Sequence, residues 1–355
     1  MPPDTRPRSR WVDNLAVAWW IVGAGLAVVD AVAFRASGGP KAVLPDVLDL
    51  GLLVDVPWST LSVAVAVFAV LGAAVVSWER WGRGASRAAR TATIAAAVLV
   101  LAGAAVLVDA TILAGLGYLP AMLIASTFNA EARGALGHYV EPGFLFQSAV
   151  LAGAVLLAVV TVRFARRTVD ACERCGRRLH GTDPHWTTPA SAARWGRVAA
   201  LVAAAVPAVY AVTRLSWALG IPLGFPRELV EQFRGIDLIG PVGLGSFALL
   251  GAVLTLGLFQ KWGEVFPRWM LGLAGRRVPV GLAVVPATIV AVAVMPAGIA
   301  LIGAGFGDGW LAINAETWGG TVPALLWPLW SIALGAATYA YWLRRRGRCD
   351  VCGQG

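Results

Sequence analysis

Val56-Pro-Trp58-Ser-Thr-Leu-Ser-Val-Ala-Val-Ala-Val-Phe-Ala-Val-Leu-Gly-Ala-Ala-Val-Val-Ser-Trp78 contains not one charged side chain. Its two tryptophans stand 20 residues apart, which is about 30 Å of helix and the thickness of a bilayer's hydrocarbon. Tryptophan favours the boundary between hydrocarbon and headgroups, so the pair marks both ends of one membrane crossing.

Seven more stretches are long and mainly apolar: Leu15–Phe34, Thr91–Leu113, Phe144–Val162, Val198–Leu219, Val242–Phe259, Val278–Ala304 and Val322–Leu343. The expected fold is therefore all-α, a polytopic membrane protein with about eight transmembrane helices. The composition agrees, with 58% hydrophobic and 14% charged residues, where a soluble globule carries roughly a quarter charged. Abundant Ala, Gly and Val in the interiors predict closely packed helices. The first stretch also has features of a signal peptide, with arginines before it and Ala31-Val32-Ala33 near its end. Its length and the bulky Trp19-Trp20 favour a retained helix.

The net charge of +9 does not point to nucleic acid, because the basic residues lie in short segments between apolar runs. With the N-terminus inside, 23 of the 29 fall on the cytoplasmic side, among them Arg6, Arg8, Arg10, Arg83, Arg163, Arg166, Arg167 and the run Arg344-Arg345-Arg346. That asymmetry places both termini in the cytoplasm. Only Lys41 and Lys261 are lysines, and the bias to Arg, Ala, Val and Gly is that of a GC-rich genome. The expected location is a bacterial plasma membrane.

A shift of 181 residues superposes Pro45 on Pro226, Trp81-Gly82 on Trp262-Gly263, Pro142 on Pro323 and Arg163 on Arg344. The eight stretches align four on four. Two parallel four-helix repeats are expected, in halves 1–190 and 191–355, related by a pseudo-twofold axis along the membrane normal. Pro45–Leu50 and Pro226–Phe233 read as matching short helices on the outer surface.

Cys172-Glu-Arg-Cys175-Gly and Cys349-Asp-Val-Cys352-Gly each follow the basic end of the fourth span of a half. Cys-x-x-Cys lets one tight turn offer two thiolates to a tetrahedral ion, and the next glycine permits the turn. Two such turns on the cytoplasmic side make one four-cysteine zinc site, which a pseudo-twofold can assemble beneath the bundle. A structural disulfide is disfavoured in a reducing cytosol. A local site of Cys172, Cys175, His180 and His185 remains open, as do redox chemistry and free thiols.

Asp30, Asp109 and Arg214 lie within apolar stretches, at similar depth toward the outer leaflet. They form a candidate intramembrane charge site, for a solute or a proton, or a salt bridge from Asp30 in the first span to Arg214 in the fifth. No span contains histidine, and the sequence holds no phosphate-binding loop, nucleophile elbow or His-Glu-x-x-His motif.

The closing run Arg344-Arg345-Arg346-Gly347-Arg348-Cys349-Asp350-Val351-Cys352-Gly353 resembles the ends of multi-pass membrane proteins of high-GC actinobacteria whose activity is unassigned. Cys-x-x-Cys also occurs in four-helix quinone-linked thiol oxidases such as the vitamin K epoxide reductase family, where the reactive pair faces the oxidising side. The expected function is a transporter for a small or amphiphilic solute, or a membrane assembly partner, with a structural zinc. The partners are the bilayer and that solute, not nucleic acid. A membrane thiol–disulfide oxidoreductase is the alternative.

Overall fold

A computed structural model describes residues 10–37, 53, 56–81, 86–270, 272–307, 313, 314 and 316–355. The expected outer helix at Pro45–Leu50, together with Arg6, Arg8, Gly82 and Arg83, lies outside these residues.

The chain is helical, with two isolated antiparallel bridges and no strand among the described residues. In order come α1 (Trp11–Ser37), α2 (Trp58–Trp81), α3 (Arg87–Val106), α4 (Ala110–Ser126), the short α5 (Ala130–Ala135) and α6 (Pro142–Arg167). Then follow α7 (Pro189–Ala218), the short α8 (Arg227–Val230), α9 (Ile239–Leu256), α10 (Val280–Gly307), α11 (Trp318–Leu325) and α12 (Trp327–Arg345).

Six of these, α1, α2, α3, α6, α7 and α10, are long and apolar enough to cross a membrane. The bent pair of α11 and α12 makes a seventh if it is one span. Three of the eight expected stretches depart from a single long helix with the expected bounds, each with a local cause. The third span stops at Val106, because the chain restarts as α4 just after Asp109, a residue that caps helices better than it continues them. The last is bent by 42° around Leu326, where Pro328 has no N–H to return to the carbonyl of Ala324. The sixth begins and ends three residues earlier than expected, stopping at Leu256 where the chain turns beneath α9 with Gly257 pressed on Gly263: a Cβ on Gly263 would meet the Gly257 oxygen at 1.8 Å.

Large apolar side chains stand exposed along the helices, such as Val22, Val29 and Val32 on α1 and Leu99 on α3. In water such continuous apolar faces are a liability, whereas acyl chains solvate them at no cost. Within the bundle, small residues bring helices together as expected. A Cβ on Gly196 of α7 would lie 2.3 Å from the Ala340 Cβ of α12, and one on Gly72 of α2 would lie 2.1 Å from the Trp20 ring of α1. Trp20 and Trp19 donate their indole N–H groups to the Gly153 and Ala149 carbonyls of α6, at 3.0 and 3.2 Å.

In the amino-terminal part α1 packs on α2, α3 on α6, and α1 on α6. In the carboxy-terminal part α7 packs on α9, α10 on α12, and α7 on α12. α10 also reaches α3 and α4, joining the two parts. α6 and α12 end at one face of the bundle, where each hands the chain to a Cys-x-x-Cys turn.

Candidate metal centre

The two cysteine turns are built from the same hydrogen bonds. In the first, Cys172 N–H donates to the Arg177 carbonyl and Gly176 N–H to the Cys172 carbonyl, both at 2.8 Å. In the second, Cys349 N–H donates to the Gln354 carbonyl and Gly353 N–H to the Cys349 carbonyl, again both at 2.8 Å. Gly176 and Gly353 have φ of +73° and +72°, a conformation that strains any residue with a Cβ. The glycine after each cysteine pair is therefore a geometric requirement of the turn.

The turns face each other. Cys172 and Cys349 Sγ are 3.9 Å apart, Cys175 and Cys352 Sγ are 3.6 Å apart, and all four sulfurs lie within 4.8 Å of one another. A tetrahedron with metal–sulfur bonds of about 2.3 Å has a sulfur–sulfur edge of about 3.8 Å. The thiols are free, and Cys172, Cys175 and Cys349 are buried.

Their ionisation is divided unequally. Burial would raise the Cys349 thiol, but the backbone N–H groups of Cys352 and Val351 point at its sulfur and bring it down to about 7. Burial pushes Cys352 up to about 12, outweighing the Gln354 N–H, and the neighbouring thiols push the same way. Burial also raises Cys175 despite the N–H of Arg177. One thiolate forms readily and the later ones are opposed. A cation at the centre would let all four ionise together.

Arginines clasp the two turns. Arg177, from the first, donates to the Gln354 and Gly347 carbonyls of the tail at 2.9 and 3.0 Å. Arg346, from the tail, donates to the Cys175 carbonyl at 2.7 Å and reaches Asp183 at 3.4 Å. Gln354 Nε2 donates to the Arg178 carbonyl, and Asp183 accepts the Arg178 N–H. Burial and the nearby Arg177 charge both lower the Arg346 pKa. Two neighbouring guanidinium groups repel each other, and the negative charge of a tetrathiolate centre would offset that repulsion. Arg177, Arg346, Asp183 and Gln354 were not singled out from the sequence, where the arginines carried a topological signal that masked their local role.

The histidines stand apart. His180 Nδ1 is 2.7 Å from an Asp170 carboxylate oxygen and its side chain is exposed, and His185 is exposed before α7. Neither joins the four cysteines, which form the one potential metal-binding group of three or more His, Cys, Asp and Glu among the described residues.

The intramembrane charges are not gathered by a salt bridge from Asp30 to Arg214. Asp30 is fully buried in α1. Asp109, just before α4, accepts the N–H of Thr111 at 2.7 Å and its hydroxyl. Gln147 of α6 fits it doubly, taking the Asp109 N–H at 3.0 Å and donating to its carboxylate at 2.9 Å. Arg214 lies over the rings of Trp217 and Tyr210, 4.1 and 4.3 Å from their centres, and donates to the Gly319 carbonyl at 3.4 Å. Aromatic faces hold this cation where a carboxylate was expected. The buried ion pair is elsewhere: Asp13 of α1, only 2% exposed, accepts from Arg163 of α6 at 2.7 Å, with Arg167 at 3.8 Å. Glu79 of α2 is fully buried and accepts the Thr161 hydroxyl at 3.1 Å.

No family model, curated protein or solved structure matches the chain. Its class therefore rests on the geometry: a helical protein with at least six membrane-crossing helices by length and composition, and four cysteines set to hold a metal.

Proposed function

We propose that this is a non-enzymatic multi-pass protein of a bacterial plasma membrane, clipped at its cytoplasmic face by one zinc ion on Cys172, Cys175, Cys349 and Cys352. Both termini are cytoplasmic, and the chain is two parallel four-span halves, 1–190 and 191–355. The carrying observation is the meeting of two turns with matching hydrogen bonds, 177 residues apart in sequence, with sulfurs at tetrahedral spacing. The recurrence of the same three helix pairings in each part supports the repeat. The resemblance to actinobacterial membrane proteins with a Cys-x-x-Cys-Gly tail fits this reading and brings no activity with it.

The work of the bundle is transport of a small or amphiphilic solute, or assembly with another membrane protein. The first is supported by a cavity of about 360 Å³ among α1, α2 and α6, lined by Trp20, Leu26, Phe68, Leu107, Phe146 and Val150. Such a lining suits an apolar moiety and rejects a large polar solute. Thiol–disulfide exchange is less well supported, since three of the four thiols are buried from a partner's sulfur.

Elemental analysis of the purified full-length protein tests the centre, with one equivalent of zinc expected. Metal-free protein with two titratable dithiols would establish the redox reading instead. Binding of an apolar fluorescent amphiphile, lost on filling the cavity with Gly153→Leu, tests the solute reading.

A further inference from the structure

Beside the cysteines, where the ends of α10 and α12 meet the two turns, lies a cleft of about 310 Å³. It contains apolar surface from Val280 and Trp342, and Arg174, Arg345, Arg346 and Arg348 also line it. Arg345 donates to the carbonyls of Glu264 and Val278 and to the Tyr341 hydroxyl, and Arg348 donates to the Gly353 carbonyl. These neutral acceptors orient the guanidinium groups without cancelling their charge. Arg174 pairs with Asp350 at 2.9 Å in the open, and an exposed pair of this kind is worth little. Asp183 pairs with Arg346 at 3.4 Å, and Arg177 stands beside it with a bond to the lining Gly347, so five arginines face two carboxylates, Asp350 and Asp183; the cleft is three charges positive, and a divalent ion on four thiolates beside it would still leave about one.

We propose that this cleft binds the phosphate of an anionic phospholipid headgroup. Guanidinium groups match phosphate oxygens in shape and charge, and basic pockets at the ends of spanning helices take such headgroups. Val280 is the first residue of α10 and Trp342 lies in the last turn of α12, so the cleft sits where both helices leave the hydrocarbon. A lipid places its phosphate among the arginines and its first methylenes on Val280 and Trp342. Free phosphate shares the charged contact and leaves the apolar surface unused. The site rests on the membrane reading and not on the metal.

Native mass spectrometry of the full-length protein in mild detergent reads the site. Phosphatidylglycerol should bind more tightly than phosphatidylcholine with the same chains. Arg174→Gln with Arg348→Gln should weaken phosphatidylglycerol about thirtyfold and phosphatidylcholine, whose choline cation offsets its phosphate, much less. Arg174→Lys with Arg348→Lys, which keeps the charge, should retain most of the binding, a control against simple unfolding. Equal affinity of wild type and the glutamine variant for phosphatidylglycerol would overturn the proposal. So would a wild type that binds both lipids alike, or inorganic phosphate raising the melting temperature as much as the lipid at equal concentration. A protein that stays in solution without detergent would overturn the membrane reading itself, a result separable from any of these.

Discussion

Cys349→Ser removes one corner of the sulfur tetrahedron and keeps nearly everything else. The serine oxygen can still accept the N–H groups that face Cys349, and the arginine clasp through Arg177 and Arg346 does not touch the side chain. What is lost is the cross-link that the proposed metal makes between positions 177 residues apart. Treated as a covalent staple over such a loop, that link is worth about 5 kcal/mol at 25 °C. Inserted helices are already confined by the bilayer, so about 5 kcal/mol is a ceiling, and a loss of about 2–4 kcal/mol is expected. Thermal unfolding in detergent, with and without a strong chelator, measures it. Chelation should destabilise the wild type by that amount and leave Cys349→Ser unchanged, because mutation and chelation break the same link. Cys172→Ser should behave alike, whereas His180→Ala with His185→Ala should retain both metal and stability. If the histidine pair releases the metal while Cys349→Ser keeps one equivalent, the four-cysteine clip is wrong.

Asp109→Ala should cost about 2–3 kcal/mol, since it uncaps α4 and removes the carboxylate to which the buried Gln147 amide donates, and Asp109→Asn should recover part of the loss in the same melt. Asp13→Asn should lower stability by about 2 kcal/mol by weakening the contact with Arg163, and Glu79→Gln should be neutral or stabilising because it removes charge from a fully buried site. Gly196→Ala should destabilise by about 1–3 kcal/mol, as the added methyl meets Ala340 at 2.3 Å, while Gly335→Ala, with open space around it, should melt like wild type. A thiol reagent that cannot cross membranes should label the cysteines only after both permeabilisation and metal removal. Labelling of intact cells would place the turns on the outer face.

The membrane-crossing helices were legible in the sequence because hydrocarbon imposes a length and forbids free charge, and both constraints show in one dimension. Breaks within helices were less legible. Asp109 reads the same whether it interrupts a span or lies within one, and what distinguishes the cases is Gln147, 38 residues away on another helix. Pro328 carried a readable signal for the bend in the last span, and the apolar run around it concealed that signal. The pairing of Arg214 was misread for a similar reason. Charge and depth matched it to Asp30, but aromatic faces also hold a cation, and Tyr210 and Trp217 stand one turn to either side of it. Matching depth is a weak restraint, since it fixes height in the bilayer and says nothing of the direction a side chain faces.

The cysteines were the most legible part of the site, because a local motif occurring twice at equivalent places needs only one fold-level condition to form a tetrahedron. That condition is that α6 and α12 end at the same face, which the proposed parallel halves would satisfy. The clasp was not legible, since Arg177 and Arg346 look like any positive residues flanking a span. Yet the two features require each other. Without the metal, four thiols among these arginines ionise unequally, with Cys349 near 7 and Cys352 near 12. With the metal, a centre of net charge −2 sits among guanidinium groups that otherwise repel. The clasp holds the sulfurs near one another before any ion arrives, which reduces the conformational cost of binding. The bound charge would in turn favour the clasp, so that the tail from Arg346 onward and the central loop close as one unit.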